Sequence, residues 1–376
     1  MILTKSLVFF WPDGCFEDVH WKKDPGQIPL YFSRREFQTT IMIPIKNTTI
    51  APENIKVHEL LKKTFKPICQ NPEFRFKWEI ISLLNFPKVL PYLIRKKPDL
   101  LIVEHRTGPI TLFTLLLYRL MTSKKGKINR MVLKYDLDPH EKVGTLFRLL
   151  HRLALVVFDI VIVESKCAYD LLWNIKQSSK IKIVPNGYLP HEVVINDDDR
   201  EKVILSVGRI AKQKGHDILI QSFAKAHSLH PDWFLKIAGP IEDKQYYDEL
   251  RDMVKNLGLT EYVRFLGSVS ERELECEYKS ASIFCLLSRY EGFNIARVEA
   301  MSYGLPTIIS SAGCGVEYEK YGTIVVPIED IDKSTEAMLR LMEDSALRKK
   351  ISRQQLGGIL SWDEVGKEIY KIAFLN

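Results

Sequence analysis

Short, almost wholly apolar runs alternate with longer amphipathic stretches along this chain. Leu3–Phe10, Thr39–Ile43, Leu100–Glu104, Arg130–Lys134, Ile160–Glu164 and Ile181–Val184 form one series. Val203–Val207, Phe234–Ala238, Val263–Leu266, Ile283–Leu287, Thr307–Ser310 and Thr323–Val326 form a second. Most are bounded by Gly, Pro or Asp, and each is too short for a helix. Their apolar residues are continuous rather than alternating. A strand that is apolar on both faces must be covered on both faces, which is the situation of a parallel sheet with crossover helices. Two such series imply an α/β protein with two doubly wound domains.

A chain of 376 residues has room for both domains. The boundary falls near Pro185-Asn186-Gly187, a turn after a strand, followed by the polar run Asn196–Arg200. This places a first domain at residues 1–188 and a second at 189–359. Trp362, Val365, Ile369, Ile372 and Ala373 recur at helical spacing, so residues 360–376 close the chain as an amphipathic helix. No period of 20–50 residues repeats, which excludes a solenoid or propeller.

Residues 1–195 carry a net charge of +12 and residues 196–376 a net charge of −5. Only the first half suits an anionic surface. Ten Lys and Arg lie between Lys56 and Lys97, interleaved with Leu60, Phe65, Phe74, Trp78 and Ile81. Lys124, Lys125, Lys127 and Arg130 follow the apolar run Leu112–Met121. Such a face either lies on an anionic membrane or packs its apolar side on the first sheet. Nothing resembles a stacking platform for nucleic acid. The longest apolar run is about half of the roughly 20 residues a span needs. The six cysteines form no CxxC pair, so neither a disulfide framework nor a zinc site is expected. A cytoplasmic protein, peripheral on the membrane at most, fits these features.

In open parallel sheets ligands bind beyond the carboxyl ends of the strands. After Val203–Val207 comes Gly208-Arg209-Ile210-Ala211-Lys212-Gln213-Lys214-Gly215, where glycines admit a ligand and Arg209 and Lys214 neutralise a pyrophosphate. After Phe234–Ala238 the chain exits sharply at Gly239-Pro240. After Ile283–Leu287 come Glu291, Gly292, Phe293 and Asn294, then a helix to Gly304. Asn294 suits the N-cap and Gly304 the C-cap. Glu291 and Glu299 then bracket a helix N-terminus, which favours phosphate, with carboxylates suited to the hydroxyl groups on either side.

With these residues in place, residues 181–376 resemble family 4 of the retaining glycosyltransferases, the glycosyl transferases group 1, which have the GT-B fold. Ile183–Gly187, Val263–Gly267, Ala300–Pro306 and Ser361-Trp362 carry the resemblance further. It implies two Rossmann-like domains facing across a cleft, with the final helix crossing back to the first. It also implies that Arg209 and Lys214 hold a donor diphosphate and that the backbone at Phe293, Asn294 and Ile295 touches its distal phosphate. Glu299 would then bond the ribose and Glu291 the sugar hydroxyls, while the base rests near Gly239 and Phe265.

The first domain departs from the family pattern. Tyr135, followed by Asp136, stands where a His-Asp pair is usual. Gly14 alone remains of a Gly pair after the first strand, and the loop Ser311–Glu317 lacks the usual Asp and Gly pair. Tyr135 and Asp136 are the candidates there for catalysis, and Trp11 and His105 for the acceptor. The implied activity is transfer, with retention, from a nucleoside diphosphate sugar to a lipid-linked or surface-glycan acceptor. The phosphate site already has cations and a helix end, so no metal and no further cofactor is expected. A synthase with a small acceptor such as a sugar phosphate, and a nucleotide-sugar-binding protein without catalysis, are the alternatives.

Overall fold

The computed structural model describes residues 5–12, 15–35, 37–48, 52–61, 77–104, 109–122, 130–135, 145–173, 179–191 and 200–375. It divides into two compact units, one running to Leu189 and resuming at Leu360, the other spanning Pro190–Ile359.

The first unit is built on a parallel sheet of seven strands: β1 (Lys5–Phe10), β2 (Phe37–Ile43), β3 (Ile55–Glu59), β4 (Leu100–Glu104), β5 (Arg130–Tyr135), β6 (Ile160–Val163) and β7 (Ile181–Ile183). Their order across the sheet is β3-β2-β1-β4-β5-β6-β7. The connections between them include helices α1 (Asp24–Ser33), α2 (Lys77–Lys96), α3 (Pro109–Thr122), α4 (Thr145–Val157) and α5 (Lys166–Trp173). The continuous apolar strands feed two cores at once. Val8, Phe10, Leu101, Val103 and Leu133 enter one. Their neighbours Leu7, Phe9, Leu100, Ile102 and Val132 enter the other. This is the two-residue alternation of a strand applied to a sheet covered on both faces.

β3 was not visible in the sequence, because its residues Ile-Lys-Val-His-Glu read as the start of the basic stretch. It is an edge strand, where polar residues are tolerated. A short parallel pair, Cys15–Glu17 with Ile45–Asn47, was also missed. β2 begins at Phe37, two residues before the expected start.

The second unit repeats the plan with β8 (Val203–Val207), β9 (Phe234–Ala238), β10 (Val263–Gly267), β11 (Ile283–Leu286), β12 (Thr307–Ser310) and β13 (Ile324–Val326). The order β10-β9-β8-β11-β12-β13 places the topological switch between β8 and β11. Helices α6 (His216–His227), α7 (Lys244–Asn256), α8 (Glu271–Ser280), α9 (Ile295–Ser302), α10 (Ile331–Glu343) and α11 (Ser345–Leu356) accompany it. Ile204, Leu235, Ile283 and Cys285 face one core, and Val203, Leu205, Phe284 and Leu286 the other.

The final helix, α12 (Trp362–Phe374), belongs to the first unit. A capping box opens it: Ser361 accepts from the Glu364 N–H, and the Glu364 carboxylate accepts from the Ser361 N–H. Trp362, Val365, Ile369 and Ala373 share the core of Leu7 and Phe9. Gly366 lies flat on Tyr31, where a Cβ would stand 2.2 Å from the ring. A larger residue would push this helix off α1.

Candidate functional site

The site lies in the second unit, at the carboxyl edge of β8 and β11. The turn after β8 ends at Gly215, whose φ of +63° and close approach to the Leu287 carbonyl exclude a side chain, since a Cβ would stand 2.0 Å from that oxygen. This places Lys214 beside the segment after β11. Lys214 Nζ lies 2.8 Å from Glu291 Oε2, with side chains only 13% and 14% exposed. Ser288 Oγ donates to the same carboxylate oxygen at 3.0 Å.

Asn294 is the N-cap of α9, and its side chain accepts from the Arg297 N–H at 3.0 Å. Ile295 opens the helix, and Gly304 follows its end at φ +71°. Glu299, one turn on, is half-buried and accepts from Tyr278 Oη at 3.1 Å. Burial and then the nearby Glu299 charge hold the Tyr278 phenol well above its ordinary range. Tyr278 stacks on Tyr303, with ring centroids 5.2 Å apart, which steadies the hydroxyl.

Arg209 is about half exposed and ion-paired with Glu242. Each proposed phosphate cation is therefore held by a carboxylate, Arg209 by Glu242 and Lys214 by Glu291. Gly239 donates its N–H to the Gly267 carbonyl at 2.8 Å, joining the ends of β9 and β10. Phe265 lies on β10, half-buried against Tyr247 with centroids 5.3 Å apart. It borders an open hollow of about 450 Å³ that also includes Arg251 and Lys255. Phe293 lies 5.6 Å from the Arg297 guanidinium.

Several structural parts of this site went unread in the sequence. Arg289 makes a two-pronged ion pair with Asp217, at 2.9 and 2.8 Å, across 72 positions of sequence. It also donates to the Lys212 carbonyl at 2.7 Å. Tyr246 Oη donates to Asp217 at 2.5 Å. Burial opposes the Asp217 charge, but Arg289 and Tyr246 outweigh it and hold the carboxyl below the usual range. This network ties the Arg209–Gly215 turn to the Glu291 segment. His216 is fully buried, with Nε2 3.2 Å from the Arg209 carbonyl, and burial brings its pKa down to about 4. It is a neutral prop for the turn.

In the first unit, Tyr135 ends β5 as a buried side chain, edge-on to His151 at 4.9 Å. Trp11, the acceptor candidate, is 7% exposed and packs against Phe16 and His20 in the core of the first unit. Gly14, His105 and Asp136 lie outside the described residues. A buried charge cluster was missed. Lys134 Nζ pairs with Asp24 and, at 2.9 Å, with Glu164, while Asn186 Nδ2 donates to Glu164 at 2.6 Å. Burial, with Asp24 nearby, pushes the Glu104 carboxyl well above its ordinary range. Lys134 looked like the polar end of a strand; only the packing puts it 1% exposed among carboxyl groups.

Residues 191–355 match the family model described as glycosyl transferases group 1. Mannosylfructose-phosphate synthase of Agrobacterium fabrum is 28% identical over 236 residues, covering 56% of this chain and 52% of that protein. A protein of Xanthomonas campestris, GDP-mannose:cellobiosyl-diphosphopolyprenol alpha-mannosyltransferase, is 32% identical over 166 residues, covering 44% of this chain and 43% of that one. The chain thus spans about half the length of the curated relatives it matches. Among solved structures, Anabaena HepE in complex with UDP and glucose superposes with a TM-score of 0.66 at 15% identity, covering 98% of both chains. The fold is that of the GT-B glycosyltransferases. Over residues 191–355 this chain is thus similar to the glycosyl transferases group 1 family.

Proposed function

We propose that this protein is a retaining glycosyltransferase that moves a sugar from a nucleoside diphosphate sugar to a lipid-linked or glycan acceptor. The observation that carries this reading is the Lys214–Glu291 pair beside the N-terminus of α9, at the switch between β8 and β11. The donor diphosphate takes Lys214 and Arg209, each exchanging a carboxylate for phosphate oxygens. The N–H of Ile295, at the start of α9, adds the helix-end charge. Glu291, released from Lys214, accepts from sugar hydroxyls, and Glu299 from the ribose. As the glycosidic bond to the diphosphate breaks, these cations stabilise the charge that develops on it. Retention follows from attack on the face the diphosphate leaves, with the departing phosphate oxygen taking the acceptor proton. The cations meet the charge requirement, so turnover needs no metal. The relatives named for mannosyl transfer to a polyprenol-linked sugar, and the HepE complex with UDP, support the donor and acceptor classes.

A membrane surface fits the acceptor. No helix among the described residues is long and apolar enough to cross a membrane. Yet the neighbouring helices α3 and α4 expose Phe113, Leu120, Met121, Leu149 and Val156, with Arg148 and Arg152 exposed on α4. Apolar side chains among cations suit an interface of anionic lipid. The deciding experiment is calorimetry with UDP- and GDP-sugars, followed by product analysis with polyprenol-linked and sugar-phosphate acceptors. No binding of any nucleotide sugar defeats the reading. Transfer to the sugar phosphate alone replaces the lipid-linked acceptor with a small one.

A further inference from the structure

The third residue of α9, Arg297, is 1% exposed and is the largest fully buried side chain among the described residues. Its guanidinium stacks on the Tyr318 ring, 3.5 Å from the centroid. Neither Nε nor Nη2 has a hydrogen-bond partner. Among the described residues no carboxylate pairs with it. A cation this deep and this poorly matched is expensive, and native proteins keep one only where something compensates it. Arg stays protonated under these conditions, so the charge is not lost by titration.

The surroundings show where the compensation belongs. Arg297 lines a recess of about 10 Å³, with Ser288, Glu291, Asn294, Ser310 and Cys314 also on its walls. That volume admits about one oxygen-sized group. The neighbouring donors are committed: Ser310 Oγ to the Ser288 carbonyl, at 2.5 Å, and Cys314 Sγ to the Gly292 carbonyl, at 3.3 Å. Glu291 is paired with Lys214. The recess therefore holds one unmatched positive charge beside the carboxylate assigned above to the donor sugar. Gly313 keeps the opposite wall close, since at φ +59° a Cβ there would stand 1.9 Å from the Glu291 carbonyl oxygen.

We propose that this recess is an anion subsite in which Arg297 receives one oxygen of a carboxylate, so that the protein selects a donor whose sugar is acidic. The proposal rests on the donor-site reading given above. The same chemistry has a second source, a small carboxylate free in solution.

The experiment is calorimetry on the full chain with matched probes: UDP-glucuronate against UDP-glucose, and GDP-mannuronate against GDP-mannose. Arg297→Met and Arg297→Lys are compared with the parent by the acidic-to-neutral affinity ratio. A charge-assisted bond inside a recess predicts a ratio of about tenfold or more in one nucleotide series. The ratio should collapse to about one in Arg297→Met and fall in Arg297→Lys, which keeps the charge but loses the fork. Arg297→Lys decides the matter if Arg297→Met does not fold. A second arm needs no nucleotide: acetate at constant ionic strength should raise the melting temperature of the parent more than that of either variant. A response to acetate with no preference among donors assigns the subsite to a free carboxylate and overturns acidic-sugar selection. Neutral preference together with no acetate response overturns the subsite, while failure of every nucleotide to bind overturns the donor-site reading instead.

Discussion

Lys214 on the turn after β8 and Glu291 on the segment after β11 form an ion pair of 2.8 Å at the switch of the second sheet. The two groups proposed to hold opposite ends of the donor thus neutralise each other before it arrives. Lys214→Ala should weaken nucleoside diphosphate binding by about 1.5–3 kcal/mol, the worth of a charge-assisted hydrogen bond. Glu291→Ala frees Lys214 and should leave nucleoside diphosphate affinity equal or tighter while turnover falls. Calorimetry of both variants checks this, and equal loss of affinity in the two would falsify the division of roles.

Glu299 is expected to act on the nucleotide instead. Glu299→Gln should lower affinity for the bare nucleotide and for the nucleotide sugar by the same factor. Tyr278→Phe removes the bond to Glu299 but keeps the stack on Tyr303. It should cost about 1 kcal/mol of stability and a smaller share of affinity. Denaturant midpoints and titrations of the two variants measure both effects.

The Asp217–Arg289 pair touches no proposed donor atom, yet it joins the two loops that do. Asp217→Asn should lower stability by about 1–3 kcal/mol, because Arg289 is left partly buried with a weaker partner. Donor affinity should fall with it as the Arg209–Gly215 turn loosens. A stable variant with undiminished affinity would show that the network serves the fold alone.

His216 makes stability depend on pH in a defined direction. Its pKa is about 4 in the fold against an ordinary value of 6.5. Between those values the unfolded chain binds the proton and the folded one does not. The contribution is therefore complete above pH 6.5 and declines as pH falls toward 4, by up to about 3 kcal/mol. Urea unfolding at pH 7 and pH 5 should show the loss, and His216→Gln should lack this part of it.

Lys134 is the sole cation in its buried cluster among the described residues. Lys134→Met leaves Asp24 and Glu164 without it and should destabilise by about 3–5 kcal/mol. Burial and the nearby Asp24 already oppose a charge on Glu104, so Glu104→Gln, which keeps the shape, should change stability by less than about 1 kcal/mol. A large loss in Glu104→Gln would mean that this carboxyl is ionised.

The sequence by itself determined the two parallel sheets, the N-cap at Asn294 and the final helix. These are local signals. Continuous apolar runs, cap residues and glycines declare themselves within a few positions, because strand burial and helix capping depend on near neighbours. β3 escaped because an edge strand needs less apolar surface, and its Lys56 and Glu59 resemble a solvated stretch. Only the tertiary structure decided which charges meet. Asp217 finds Arg289, Lys214 finds Glu291, and Lys134 finds Asp24 and Glu164 across dozens of positions, through strand order and loop approach. Nothing in the local pattern marks Trp11 as core or Arg297 as a buried cation without a partner. Both follow from what surrounds a side chain in space, and burial is a property of the packed chain rather than of the residue.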